Sequence, residues 1–299
     1  MKRALFIAGP TASGKSAFAL EVAGRHDGII INADSMQVYR DLPVLTACPP
    51  VEEEAIAPHR LYGFLDGTEV CSVAFWAEKA MQEIESAWEA DKLPILVGGT
   101  GMYFKVLLDG IAKIPDIPEQ IRSSVRSECL LNGSQALHGE LQDVDPQAAV
   151  RLAPGDSQRV CRAVEVFRAT GIPLSTWQKD TPPGPMAKLD GAGGVDKVAI
   201  IPERNELYRR CDLRFDHMLE STAIAEVEAL VARQLSSDLP IMRALGVPAL
   251  AAYLAGSVSL DEASTEAKMQ TRRFAKRQLT WLRNQFSHWN KNFAQYMES

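Results

Sequence analysis

Short, largely apolar runs punctuate the chain at residues 4–8, 28–35, 93–97 and 197–201, each the length of a strand buried on both faces. Residues 17–23, between the first two runs, read as a helix. Strand, helix and strand in that order make a βαβ unit and predict a parallel sheet. Ser72 stands where a helix N-cap belongs, and Ala77, Met81, Ile84 and Trp88 recur behind it at i, i+4, i+7 and i+11, the expected buried stripe. Ligands of parallel sheets bind beyond the C-terminal ends of the strands, so the segments that follow the apolar runs are where chemistry is expected.

From residue 113 the pattern changes. Ile114-Pro115-Asp116-Ile117-Pro118 reads as a linker, helical patterns follow at 119–131 and 134–142, and Asp145-Pro146 starts another short helix. Asp156 is placed to cap a helix over 157–170 with Val160, Val164 and Phe167 on one face, closed by Gly171. Thr181-Pro182-Pro183-Gly184-Pro185 and the glycines to Gly194 read as loop. Helical patterns dominate after residue 201, and the last has Ala275, Leu279, Leu282 and Phe286 as its apolar stripe. The predicted organisation is a first core segment over 1–112, a helical insertion domain over 113–197, and a second, mostly helical core segment over 198–299.

Composition narrows the class. The chain has 299 residues with ordinary apolar and charged fractions, and no apolar run approaches the ~20 residues of a membrane span. Lys2-Arg3 before the first run imitates a signal peptide, but the run is shorter than the ~7–15 residues of such a segment. Cys48, Cys71, Cys129, Cys161 and Cys211 are odd in number and scattered, without a CxxC pair, and fit reduced thiols in a cytoplasm. The formal net charge of −6 argues against nucleic acid taken globally. A local basic patch overrides such a sum. One exists on the last helix, where Arg272, Arg273, Lys276, Arg277 and Arg283 stand nearly free of acids with Trp281 nearby.

The first apolar run leads directly into Gly9-Pro10-Thr11-Ala12-Ser13-Gly14-Lys15-Ser16, the spacing G-x-x-x-x-G-K-S between a strand and a helix. Gly9 and Gly14 let backbone amides turn around a phosphate, the helix start adds a positive field, Lys15 adds a charge, and Ser16 offers a hydroxyl to Mg²⁺. The core is therefore read as α/β, a P-loop NTPase-like fold that holds a diphosphate or triphosphate. The second run ends at Asp34, which faces the same crevice; a direct chemical role, a helix cap and a hold on a Mg²⁺ water are all open on spacing alone. Gln37 has paired donor and acceptor groups suited to an adenine edge. The third run leads into Gly98-Gly99-Thr100-Gly101, where Thr100 either reaches the crevice or caps the helix over 102–108.

These segments, together with Ala33-Asp34-Ser35-Met36-Gln37-Val38-Tyr39-Arg40, Gln158-Arg159-Val160-Cys161-Arg162-Ala163 and Lys276-Arg277-Gln278-Leu279-Thr280-Trp281-Leu282-Arg283, resemble the motifs of the tRNA dimethylallyltransferases, in that family's order and over nearly the whole chain. The resemblance implies transfer of a dimethylallyl group from dimethylallyl diphosphate to N6 of adenosine 37 in the tRNA anticodon stem-loop, with Mg²⁺; separately, a cytoplasmic monomer is expected. It implies Asp34 as general base and Thr100 as an orienting residue, with residues 9–16 and Arg214 on the diphosphate. Residues facing tRNA would be Asp34, Ser35, Met36, Gln37, Thr100, Gln158, Arg159, Val160, Cys161, Arg162, Lys276, Arg277, Gln278, Thr280, Trp281 and Arg283, with Arg122 and Arg243 as further matches. The sequence departs from the family at Cys48, where lysine is usual, at Gly246-Val247-Pro248, where a Gly-Tyr-basic segment is common, and at Arg60, where a second histidine is common. The rival readings are a P-loop small-molecule kinase, which needs no basic far surface, a dimethylallyltransferase acting on free AMP or ATP, which needs neither the insertion nor the basic last helix, and a non-enzymatic nucleotide-binding module, against which Asp34 and Thr100 converging on the loop argue.

Overall fold

The apolar runs form strands. The computed structural model describes residues 2–290, and in it Ala4–Ala8 (β1), Gly28–Asn32 (β2), His59–Arg60 (β3), Leu93–Gly98 (β4) and Val195–Ala199 (β5) make one parallel sheet in the order β3-β2-β4-β1-β5. Successive side chains of the inner strands serve two cores. Ala4, Phe6, Ala8, Ile29 and Ile31 pack into one, while Leu5, Ile7 and Ile30 pack with Phe18, Ala19 and Val22 of the helix Lys15–Arg25 in the other. Both faces are covered, which is why these strands are apolar throughout instead of alternating.

β4 lies between β1 and β2. The turns after β1, β4 and β2 therefore emerge side by side at one edge of the sheet. Those turns contain the phosphate loop, Gly99-Thr100 and Asp34.

The chain divides into two compact units, Met1–Leu108 with Pro185–Ser299, and Asp109–Gly184. The second unit is thus shorter than the sequence pattern suggests. The helix Ala187–Gly191 and β5 belong with the sheet, and β5 begins two residues earlier than the apolar run, paired with β1 from Ala4 opposite Val195. Asp196 and Lys197 hide that start by interrupting the hydrophobic pattern; Asp196 pairs with Arg3 and Lys197 with Asp190, each at 2.6 Å.

The helix Val73–Glu89 is capped by Ser72 as expected, with Oγ accepting from Phe75 N at 3.1 Å. Its buried stripe is Trp76, Ala80, Ile84 and Ala87, while Ala77, Met81 and Trp88 flank it. Ile84 is common to this stripe and the one the periodicity predicts; the other three innermost positions lie one residue earlier than expected. The final helix Leu260–Gln285 opens with a capping box at Ser259 and Glu262, and buries Ala275, Leu279 and Leu282 as predicted, with Phe286 just beyond its end.

In the second unit, the helices Glu119–Asn132, Ser134–Val144, Pro146–Arg151, Ser157–Thr170 and Leu174–Lys179 enclose Val125, Leu137, Leu141, Val160 and Val164. Asp145 is buried there because its carboxylate accepts from two helix starts, Ala148 N at 3.0 Å and Ser175 N at 2.9 Å. Asp156 and Gly171 bound the helix Ser157–Thr170 as the sequence suggests, with Gly171 at φ 70°.

Candidate active site

The phosphate loop keeps its shape through two left-handed residues, Ala12 at φ 61° and Gly14 at φ 91°. With glycine at the N-cap, no side chain satisfies the first amides of the helix Lys15–Arg25, and these are left for an anion. Ser13 Oγ is buried in the loop without a hydrogen-bond partner, as a cradle for phosphate oxygens requires. Gly9 permits the fold-back, since a methyl group there would lie 2.5 Å from that oxygen.

Lys15 Nζ donates to Pro10 O at 3.3 Å. Burial pushes its ammonium down to about 8; Asp34 opposes that fall and Arg214 adds to it. The Arg214 guanidinium, from the helix Arg204–Glu220, donates to Thr11 Oγ1, and burial also lowers its pKa. Two cations and one carboxylate therefore share this corner of the cleft.

Asp34 is held through its main chain. Asn32, fully buried at the end of β2, accepts from Asp34 N and donates to Asp34 O and Leu61 O; Trp76 Nε1 donates to Asn32 O at 2.9 Å. Asp34 Oδ1 accepts from Met36 N at 3.0 Å, an Asx turn that fixes the carboxylate. Thr100 joins the same turn: its Oγ1 accepts from Ser35 N at 3.0 Å, and its amide donates to Ala33 O at 3.2 Å. Gly98 is required where the two strands end, because a methyl group there would overlap the Ala33 carbonyl.

Gln37 differs from its expected form. Its Nε2 donates to both Thr46 O and Ala47 O, so only Oε1 remains for a partner, an acceptor instead of a donor–acceptor pair. That loop is pinned in turn by Glu226, whose carboxylate accepts from Val44 N and Leu45 N at 2.8 and 3.0 Å. Nothing in the sequence signals Glu226 or Asn32. Glu226 acts across 182 residues of chain, and Asn32 reads as one more position of its strand. Cys48 lies beside Gln37, its Sγ 3.7 Å from Gln37 O, where the expected lysine is missing.

On the final helix, Lys276, Arg277, Thr280 and Arg283 are exposed, whereas Gln278 is buried and Trp281 packs against Gly101. Arg272 is engaged with Asp212 at 2.6 Å. Gly246 has φ 90°, Val247 is buried where the family commonly has tyrosine, and Pro248 is exposed where a basic side chain was expected. Arg243 pairs with Asp238 at 2.6 Å and is exposed. In the second unit, Gln158 and Arg159 are exposed on one end of their helix, and Val160 and Cys161 are buried. Arg122, Arg126 and Arg162 surround the buried Glu165.

Among the described residues, no three His, Cys, Asp or Glu side chains gather to hold a metal, and no helix is long and apolar enough to cross a membrane. Ser16 is beside the phosphate cradle and partly open to solvent, which suits a Mg²⁺ held chiefly by substrate phosphates and water.

The IPP transferase family profile matches residues 37–285. A tRNA dimethylallyltransferase of Methylobacterium nodulans is 50% identical over 283 residues, 95% of this chain and 92% of that protein. One from Azorhizobium caulinodans is 51% identical over 286 residues, 96% and 90% of the two chains. The crystal structure of a full-length tRNA isopentenylpyrophosphate transferase from Bacillus halodurans superposes with a TM-score of 0.68 at 34% identity, covering 100% of this chain and 94% of that one. A eukaryotic dimethylallyltransferase acting on tRNA superposes with a TM-score of 0.79 at 26% identity, covering 94% and 70%.

Proposed function

The chain belongs to the IPP transferase family, and from that premise we infer that it transfers a dimethylallyl group from dimethylallyl diphosphate to N6 of adenosine 37 in tRNA, releasing diphosphate. The observation that supports the chemistry most directly is the meeting of Asp34 and Thr100 with the phosphate loop at the ends of three adjacent strands. A phosphate cradle with a fixed carboxylate beside it suits a reaction in which diphosphate leaves while a proton is removed from the attacking atom.

The N6 amine attacks C1 of the allyl group as the C1–O bond breaks, and the departing oxygen keeps the electron pair. Asp34 takes the N6 proton, a general-base contribution of typically ~10²–10⁴-fold. Lys15, Arg214 and the loop amides hold the charge that grows on the diphosphate. Ser16 and the substrate phosphates are the proposed ligands of Mg²⁺, which neutralises diphosphate charge when bound. Thr100 holds the Asp34–Ser35 turn in place. Gln37 Oε1, left over when Nε2 binds the Thr46 and Ala47 carbonyls, is proposed to accept from a base amine. The adenosine must leave the anticodon stack to reach the crevice, and the exposed basic residues 276–283 are proposed to grip the phosphates of the stem, as are Gln158, Arg159, Arg162 and Arg122 of the helical unit.

The test is one incubation of the protein with Mg²⁺ and labelled dimethylallyl diphosphate, run separately with unmodified tRNA, AMP and ATP. Label in tRNA alone, on the adenosine beside the anticodon, is the expected result. Label in a free nucleotide, or consumption of ATP without label transfer, would overturn the assignment.

A further inference from the structure

Gln278 lies within the helical stretch whose exposed side chains are basic, but it points the other way. Its side chain is buried, its Oε1 accepts from Thr11 N at 2.9 Å, and its Nε2 donates to Gly99 O at 3.0 Å. One amide therefore joins the phosphate loop to the loop that bears Thr100. Those loops meet once more at their base, where Gly9 N donates to Gly98 O at 3.2 Å. The fit is close: a methyl group at Gly99 would overlap the Gln278 amide. Arg214 holds Thr11 from its hydroxyl, so this residue is fixed at two points.

We propose that Gln278 is a positioning residue that sets the gap between the phosphate loop and the Gly99–Thr100 loop, and is not itself a tRNA contact. The proposal rests on the prenyl-transfer reading and deepens it. Lys276, Arg277, Thr280 and Arg283 face outward from the same two turns. Acceptor binding on the outer face is thereby joined to the geometry of the reacting groups on the inner face through one rigid helix. Misplacing reactants by about 1 Å costs up to ~10²-fold in rate. A glutamine suits the task because its planar amide holds an acceptor oxygen and a donor NH₂ at a fixed angle.

The experiment measures single-turnover prenyl transfer, tRNA affinity and diphosphate affinity for the wild type, Gln278→Met and Gln278→Glu. Gln278→Met, of similar volume, is expected to slow transfer at saturating tRNA by about ten- to a hundredfold and to weaken diphosphate binding, with tRNA affinity within about twofold of wild type. Gln278→Glu provides a reading that a packing role would not give. Its protonated acid both accepts from Thr11 N and donates to Gly99 O, whereas its carboxylate only accepts. The ratio of its rate to the wild-type rate is therefore expected to rise as pH falls. Weakened tRNA binding with an unchanged saturated rate, or a flat rate ratio across pH, would overturn the proposal. A wild type that labels no tRNA would sink the functional reading instead, and the clamp is then decided by diphosphate affinity alone, which must fall in Gln278→Met.

Discussion

Asn32 grips Asp34 by both ends of one amide: Oδ1 accepts from Asp34 N at 2.8 Å, and Nδ2 donates to Asp34 O at 3.0 Å. The same Nδ2 donates to Leu61 O at 3.0 Å, which ties the turn to the neighbouring segment. Asn32→Leu leaves the buried Leu61 O and the half-buried Asp34 N and O without these partners, with a cost of roughly 1–3 kcal/mol for the buried carbonyl. The variant is expected to melt lower and to turn over about tenfold more slowly. Melting and steady-state rates measured together check this; an unchanged rate in a folded variant would remove Asn32 from the positioning of Asp34.

Asp34→Asn keeps the shape of the Asx turn and removes the base. Single-turnover transfer is expected to fall by ~10²–10⁴-fold, with the affinities for tRNA and diphosphate little changed. A near-wild-type rate would take the proton transfer away from Asp34.

Lys15 makes the enzyme sensitive to alkali. Burial holds its pKa near 8 in the free protein against 10.5 unfolded, so diphosphate affinity is expected to fall as pH rises through about 8. Lys15→Arg, which stays charged, should move that limb upward. The stability sign is opposite. A depressed lysine binds fewer protons folded than unfolded, so the penalty is fully present below pH 8 and is relieved between about 8 and 10.5. Lys15→Met is therefore expected to stabilise the ligand-free protein at pH 7 by something of order 1–3 kcal/mol, the lower end because the side chain keeps some contact with water. Melting curves with and without pyrophosphate test both signs.

Trp281 packs where Gly101 has no side chain. Gly101→Ala forces the indole away, at a cost of roughly 1–3 kcal/mol. The expected readouts are a changed tryptophan emission and a lower melting temperature. An unaltered spectrum would contradict the contact.

Arg277 is exposed and its guanidinium stacks 5.6 Å from the Phe274 ring. Arg277→Ala should weaken tRNA binding and reduce the salt slope by about 0.7–1 if it meets one phosphate. An unchanged slope would mean that this face is only solvated.

What is legible in the sequence is what short-range chemistry dictates. The apolar runs announce β1, β2 and β4, and the spacing of Gly9, Gly14, Lys15 and Ser16 announces the loop. Ser72, Asp156 and Gly171 mark helix ends because capping is local. In Val73–Glu89 the periodicity finds Ile84 but places the rest of the stripe one residue late, since apolar residues stand on both sides of the buried line and the pattern alone does not rank them. The clamp at Gln278 joins partners 267 and 179 residues away, and periodicity reports a buried face, not what a polar side chain on it grasps. The Gln37 amide escapes the sequence for a related reason: its two carbonyl partners come from a loop held by Glu226.

Cys48 has a consequence for self-protection. An allylic diphosphate is an alkylating agent, and the best competing nucleophile near its binding site would be a thiolate. Burial pushes the Cys48 thiol up to about 11, and burial raises the pKa values of Cys71 and Cys211 as well. All three stay in the poorly nucleophilic thiol form at neutral pH. Burial thus works against thiolate formation at the cysteines of the unit that carries the phosphate loop, the direction that disfavours a competing sulfur acceptor.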